Sequence, residues 1–330
     1  RQDPEKVQIS NSESSRCGRE AIELCEKHKP DVITMDMMLP VMSGLAATEW
    51  IMAYCPTPIV IVSGSMNRGE VFRTYDAIAA GAVDVVPKPD GRLDGSDWAA
   101  RLTSAVRIAA RIKVVTHVRG RLSRVPSAAG PTATPPSTGT TRLVAIGAST
   151  GGPGAVRRVL TDLPPSFPVP ILVVLHIGAP FDLTLADWLD AQSPHAVRFA
   201  VDGERVFDGP PQVLLAPAGR HMSMKDERIR FDDGAERHSC RPSIDVLFES
   251  LAREVGPSAV GVLMTGMGRD GADGLLAIRR AGGHTISQDE ATSIVYGMPR
   301  AAAEIGAARS ILPLEAIGPA LTRFVKRGAR

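Results

Sequence analysis

Short apolar runs alternate with amphipathic stretches along most of this chain, and the alternation predicts two α/β units. In the first, residues 6–10 read as a short strand. Residues 18–28 read as a helix with Ala21, Ile22 and Cys25 on one face. Strands follow at 31–35, running into Asp36, at 58–62, ending at Ser63, and at 83–86, just before Lys88 and Pro89. Helices at 45–54, 72–80 and 98–113 separate and close them. A parallel sheet covered by helices is expected, with its chemistry beyond the carboxyl ends of the strands. A carboxylate (Asp36), a hydroxyl (Ser63) and an ammonium (Lys88) therefore converge there.

The second unit starts at Leu143. LVAIGASTGGP is a buried strand, a tight turn and a helix start, with Ser149 at the top of the turn. Gly147, Ser149 and Gly151 satisfy a G-x-S-x-G spacing, whose small residues let a strained turn lift a hydroxyl clear of the backbone. The same glycines also suit a turn that cradles phosphate at a helix N-terminus, and a serine there can simply cap the helix. Further strands are expected at 170–175, leading to His176, at 213–215, at 259–264 and at 285–288. A hairpin arm is expected at 229–231, and helices at 155–160, 181–191, 242–255, 275–281 and 299–306. Three strand ends thus deliver Ser149, His176 and Asp270. A serine nucleophile needs a base, and the base needs an acid to fix its tautomer. The order Ser, His, Asp differs from that of α/β-hydrolases, so the spacing alone does not bring that fold with it. Asp273 competes with Asp270 in GRDGADG, and His117, His221, His238 and His284 are the weaker histidines.

Between the units the composition changes. RGRLSRVPSAAGPTATPPSTGTT has no hydrophobic period and reads as a linker. Residues 1–114, 115–141 and 142–330 are the expected first domain, linker and second domain. With a net charge of +2 and 4% aromatic residues, neither a polyanion partner nor a base-stacking surface is implied. Cys17, Cys25, Cys55 and Cys240 show no zinc or redox spacing and fit a reducing compartment. No apolar run reaches the length of a bilayer span, and a cytoplasmic protein without membrane insertion is expected.

MDMMLPVMSG around Asp36, PIVIVSGS with Ser63 and GAVDVVPKP with Lys88 resemble a response-regulator receiver domain. That resemblance implies a flavodoxin-like fold, Asp36 as phosphoacceptor, and Ser63 and Lys88 as the groups that respond to the phosphoryl. In the family an acidic pair on the first strand helps to hold Mg²⁺, with the phosphoacceptor contributing. No V-x-x-D-D-like strand end precedes Gly18, so a receiver incomplete at its N-terminus is expected. Asp36 is then left without its usual Mg²⁺ partners.

AIGASTGGP, VVLHIGAPF, LLAPAGRHM, RPSIDVLFESLA, LMTGMGRDGADG and SQDEATSIVYGMPRAA resemble the catalytic domain of the bacterial chemotaxis protein-glutamate methylesterase family. The resemblance implies a Rossmann-like doubly wound sheet. It also implies hydrolysis of glutamate γ-methyl esters on chemoreceptors, deamidation of certain glutamines, and a histidine kinase as partner of the receiver. By motif position the nucleophile falls on Ser149, the base on His176, the orienting acid on Asp270 and the oxyanion donor on the Met267 N–H, with Thr150 beside the serine. No metal or other cofactor enters that hydrolysis. The family's receiver covers the active site until it is phosphorylated. A module that binds receptors or kinase without hydrolysis is the alternative. The segment 237–242 is either a receptor contact or a loop packed on its own core.

Overall fold

The computed structural model describes residues 13–64, 68–89, 95–112, 140–177 and 181–327. The expected strand at 6–10, most of the linker and His117 lie outside these. The chain divides into two compact units, residues 1–122 and 123–330.

The first unit runs α1 (Gly18–His28), β1 (Ile33–Asp36), α2 (Gly44–Tyr54), β2 (Ile59–Ser63), α3 (Arg68–Ala79), β3 (Asp84–Pro87) and α4 (Gly95–Ala109). Its described strands form a parallel sheet in the order β1-β2-β3. Ile59, Ile61 and Met35 pack with Ile22 and Cys25 of α1 and Ala47 and Ile51 of α2. The register pairs Asp36 with Val62 and Ser63 with Pro87, so all three strands end at one rim.

The second unit runs β4 (Leu143–Ala148), α5 (Gly152–Asp162), β5 (Ile171–Leu175), α6 (Asp182–Gln192), β6 (Val197–Phe199), β7 (Val213–Leu215), β8 (His221–Lys225) and β9 (Arg228–Asp232). It continues with α7 (Ile244–Glu254), β10 (Ala259–Leu263), α8 (Ala272–Arg280), β11 (His284–Gln288), α9 (Met298–Glu304), β12 (Ser310–Leu312) and α10 (Leu314–Arg327). Seven strands form a parallel sheet in the order β12-β11-β10-β4-β5-β7-β6, and β8 and β9 form an antiparallel hairpin. Every residue of β4 is buried. Side chains alternate between the faces of a strand, so Leu143 and Ala145 join the core built on α7 and α8, while Val144 and Ile146 are buried on the other face. Helices therefore cover both faces, as a parallel sheet requires. On α7, Ile244, Leu247, Phe248 and Leu251 recur at i, i+3, i+4 and i+7 and are all buried. Each of these side chains contributes roughly 1.5–3 kcal/mol by burial. Because β4 lies between β10 and β5, the order of the sheet reverses there, and the crevice above its carboxyl end is where such folds bind ligands.

Candidate active site

Each expected site residue of the second unit stands at that reversal. Ala148 of β4 is in register with Leu175 of β5, and the His176 N–H donates to the Ala148 carbonyl at 3.1 Å. Ser149 and His176 therefore leave adjacent strands at the same level. On the other side, the Ser149 N–H donates to the Thr265 carbonyl at 2.9 Å, which ties the serine turn to the loop after β10. Gly151 adopts φ +75°, a conformation that glycine takes without strain, and it starts α5 directly behind the serine. Gly266 fits because a side chain there would collide with the Ser149 Cβ, 2.7 Å from the position a Cβ would occupy.

Asp270 is the most constrained group in the site. Its side chain is 2% exposed, and its carboxylate collects four donors. Oδ2 accepts from His176 Nε2 at 2.9 Å and from the Ile244 N–H at 2.7 Å. Oδ1 accepts from the Ser243 hydroxyl at 2.7 Å and from the Asp245 N–H at 3.2 Å. Ser243 is the N-cap of α7, so Asp270 sits against the positive end of that helix, where an anion is stabilised. Burial alone would raise the Asp270 pKa, but the bonds from His176, Ser243 and Ile244 hold it below the usual carboxylate value. An ionised carboxylate only accepts hydrogen bonds. In the neutral imidazole the proton then stands on His176 Nε2, which leaves the lone pair on Nδ1.

That Nδ1 lies 3.6 Å from the Cys240 sulfur. Among the described residues the Ser149 hydroxyl makes no hydrogen bond to His176, so the His–Asp link is closed and the Ser–His link is open. Burial would lower the His176 pKa, but its bonds with Asp270 and Cys240 and their charges push it up to about 9. Met267 is 55% exposed at the mouth of the loop, and its N–H donates to no other described group. Thr150 is held through its carbonyl, which accepts from the Thr265 hydroxyl at 2.9 Å. The loop is fixed in turn by Gln288, whose Oε1 accepts the Thr265 N–H at 2.9 Å.

The competing candidates have other roles. Asp273 pairs with Arg269 at 3.1 Å on the surface. His221 Nδ1 accepts the Ser243 N–H at 3.1 Å, and its Nε2 lies 3.0 Å from the Ala235 carbonyl, so it braces the α7 cap. His284 stacks on Phe324, and His238 lies 3.2 Å from Asp245. In the segment 237–242, Arg237 makes a two-pronged pair with Glu249 at 2.7 Å, and Arg241 donates to the Asp233 and Gly234 carbonyls. These contacts anchor the segment to its own unit.

In the first unit, Lys88 Nζ donates to Asp36 Oδ2 at 2.5 Å, and the Met38 N–H donates to Oδ1 at 3.1 Å. Ser63 is buried at the end of β2, and its carbonyl accepts the Lys88 N–H at 2.8 Å. The expected carboxylate, hydroxyl and ammonium thus share one rim.

The family described as CheB methylesterase matches residues 144–321, and the response regulator receiver domain family matches residues 5–94. The protein-glutamate methylesterase/protein-glutamine glutaminase 2 of Anaeromyxobacter dehalogenans is 41% identical over 94% of this chain and 87% of its own length. The corresponding protein 1 of Cupriavidus pinatubonensis is 43% identical over 93% of this chain and 87% of its own length. The crystal structure of the Thermotoga maritima CheB methylesterase catalytic domain matches all of its own length to 56% of this chain, at 34% identity and a TM-score of 0.53.

The chain belongs to the CheB methylesterase family. It is a protein-glutamate methylesterase with protein-glutamine glutaminase activity and a receiver domain. Among the described residues, no helix is long and apolar enough to cross a membrane. Sequence reasoning missed Ser243, Ile244 and Asp245 as the cradle of Asp270, and Cys240 as the neighbour of His176. The signal for the cradle was present: a serine cap at the start of an amphipathic helix is an anion-binding element. Nothing in the one-dimensional pattern brings Cys240 to His176.

Proposed function

We propose that this chain hydrolyses γ-glutamyl methyl esters of chemoreceptors through a Ser149–His176–Asp270 triad. The observation that carries this reading is the 2.9 Å bond from His176 Nε2 to a buried, four-fold hydrogen-bonded Asp270, at the rim that also presents Ser149. Asp270 holds the proton on Nε2, so Nδ1 is the basic atom. Ser149 and His176 follow adjacent strands at the same level, which supports the serine hydroxyl as the group that Nδ1 serves. Nδ1 then takes the hydroxyl proton as Oγ attacks the ester carbonyl, and the Met267 N–H donates to the developing oxyanion, a role supported by its having no other partner among the described residues. The imidazolium returns the proton to the leaving methanol. Water, deprotonated by the same nitrogen, releases the acyl group from Ser149 as the γ-carboxylate. Deamidation follows the same steps with ammonia as the leaving group. Neither path calls on a metal or other cofactor.

The test is methanol release from methylated receptor by the full chain and by Ser149→Ala. The triad reading expects a loss of about 10⁴-fold or more in the variant. Equal release would refute it.

Asp36 is read as the phosphoacceptor, supported by its place at a strand end, one third exposed, with the Lys88 ammonium against it. A receptor-coupled histidine kinase is the partner this implies, and phosphorylation is the switch that sets esterase output.

A further inference from the structure

His176 uses its two nitrogens unequally. Nε2 faces Asp270, whose oxygens are already committed to four donors, whereas Nδ1 faces the partly buried thiol of Cys240 at 3.6 Å. The ligand atoms of His176, Cys240 and Asp270 all lie within 4.8 Å of one another. A tetrahedral zinc ion with its usual bond lengths to sulfur and imidazole nitrogen holds those two atoms about 3.6 Å apart. The thiol and the nitrogen thus already stand at the separation of two ligands on one ion. Behind the imidazole, a carboxylate takes the remote N–H, which is the arrangement that orients metal-bound histidines and makes them better donors. Thiolate with imidazole is a soft pair that selects Zn²⁺ over Mg²⁺ or Ca²⁺.

We propose that this active site also binds Zn²⁺, with His176 Nδ1 and Cys240 Sγ as protein ligands and Asp270 as the carboxylate behind the histidine. Binding displaces the thiol proton to solvent and occupies the lone pair that would accept the Ser149 proton. The ion is therefore an inhibitor, and water completes its coordination. The inhibition rests on the triad reading above, but the binding does not.

The experiment uses the full chain after treatment with a chelator that is then removed. Zn²⁺ is titrated into the methanol-release assay with wild type, Cys240→Ser and Cys240→Ala, each referred to its own metal-free rate. The expected result is inhibition of wild type that a chelator reverses, with the half-inhibiting concentration raised about tenfold or more in both variants. Binding is read separately with Co²⁺, whose thiolate charge-transfer absorption should be stronger in wild type than in either variant, the wild-type-minus-variant difference being the band of this site. Cys25 and Cys55, whose sulfurs lie 3.4 Å apart in the first unit, contribute equally to all three proteins and cancel in the difference. Equal inhibition of all three, or a Co²⁺ spectrum independent of Cys240, overturns the proposal. A chain that releases no methanol but shows the Cys240-dependent band sinks the triad reading and keeps the site.

Discussion

The two units each place an aspartate at a strand-end rim, and they treat it in opposite ways. Asp36 is 32% exposed and bound to one flexible cation, Lys88, and one backbone N–H. Asp270 is 2% exposed and bound by an imidazole, a hydroxyl and two N–H groups at the start of α7. A carboxylate that must attack a phosphorus atom has to be reached, so it keeps solvent and a partner that can move away. A carboxylate that must hold a histidine in one tautomer has to be immobile and anionic; burial among packed groups holds it still, and the four donors keep it charged against the cost of that burial. Both residues are aspartates, so in the roles proposed for them exposure and donor count make the distinction between nucleophile and orienting group.

The sharpest way to break this comparison is Asp270→Asn. The amide can no longer receive the Nε2 proton as an anion does, and methanol release should fall by about 10⁴-fold. A loss under tenfold would show that the buried acid does not set the base. Asp36→Asn should reduce labelling by radiolabelled acetyl phosphate to background, whereas Asp270→Asn should label as wild type does. Labelling that survives in the Asp36→Asn variant would place the acceptor elsewhere.

Ser243→Ala removes both a donor to Asp270 and the cap of α7. It should cost about 1–2 kcal/mol in denaturant unfolding and lower the methanol-release rate by about tenfold. Full activity would mean that the cradle is redundant.

The smallest effect is on pH. Only neutral His176 can accept a proton, so with chelator present the rate should rise with pH and level off near the raised value of about 9. Cys240→Ala removes one of the contacts that raise it, and the midpoint should move down. The same shift has a sign for stability. The gain from pairing protonated His176 is complete below the unfolded value near 6.5 and is lost as pH climbs through about 9. A rate profile flat between pH 6 and 9 would contradict the assignment.

Much of this was legible in the sequence. The strands and helices with unbroken apolar periods, such as 18–28, 143–148 and 259–263, lie where the pattern puts them, because burial on a single stripe or on both faces leaves a periodic trace. The elements it missed lack that trace. β6 and β12 are three residues each, β8 (HMSMK) has no β-branched residue, and α10 runs through Gly318 and Pro319, which read as breakers. Helix α4 starts and ends earlier than 98–113, at Gly95 and Ala109. The site shows the same division. Ser149, His176 and Asp270 each follow an apolar strand and could be found in order, but the contacts of Asp270 with Ser243 and of His176 with Cys240 span 27 and 64 residues. Only the crossovers of the sheet bring them together.

The most direct measurement follows from the one surprise of the site, a thiol in contact with the basic nitrogen where the serine makes no bond. A methyl-ester receptor peptide is mixed with the full chain, quenched during the first turnover, and the adduct is located by peptide mass spectrometry. The triad account predicts a glutamyl adduct on Ser149 that disappears in His176→Ala. An adduct on Cys240, or one on Ser149 that persists without His176, would contradict it.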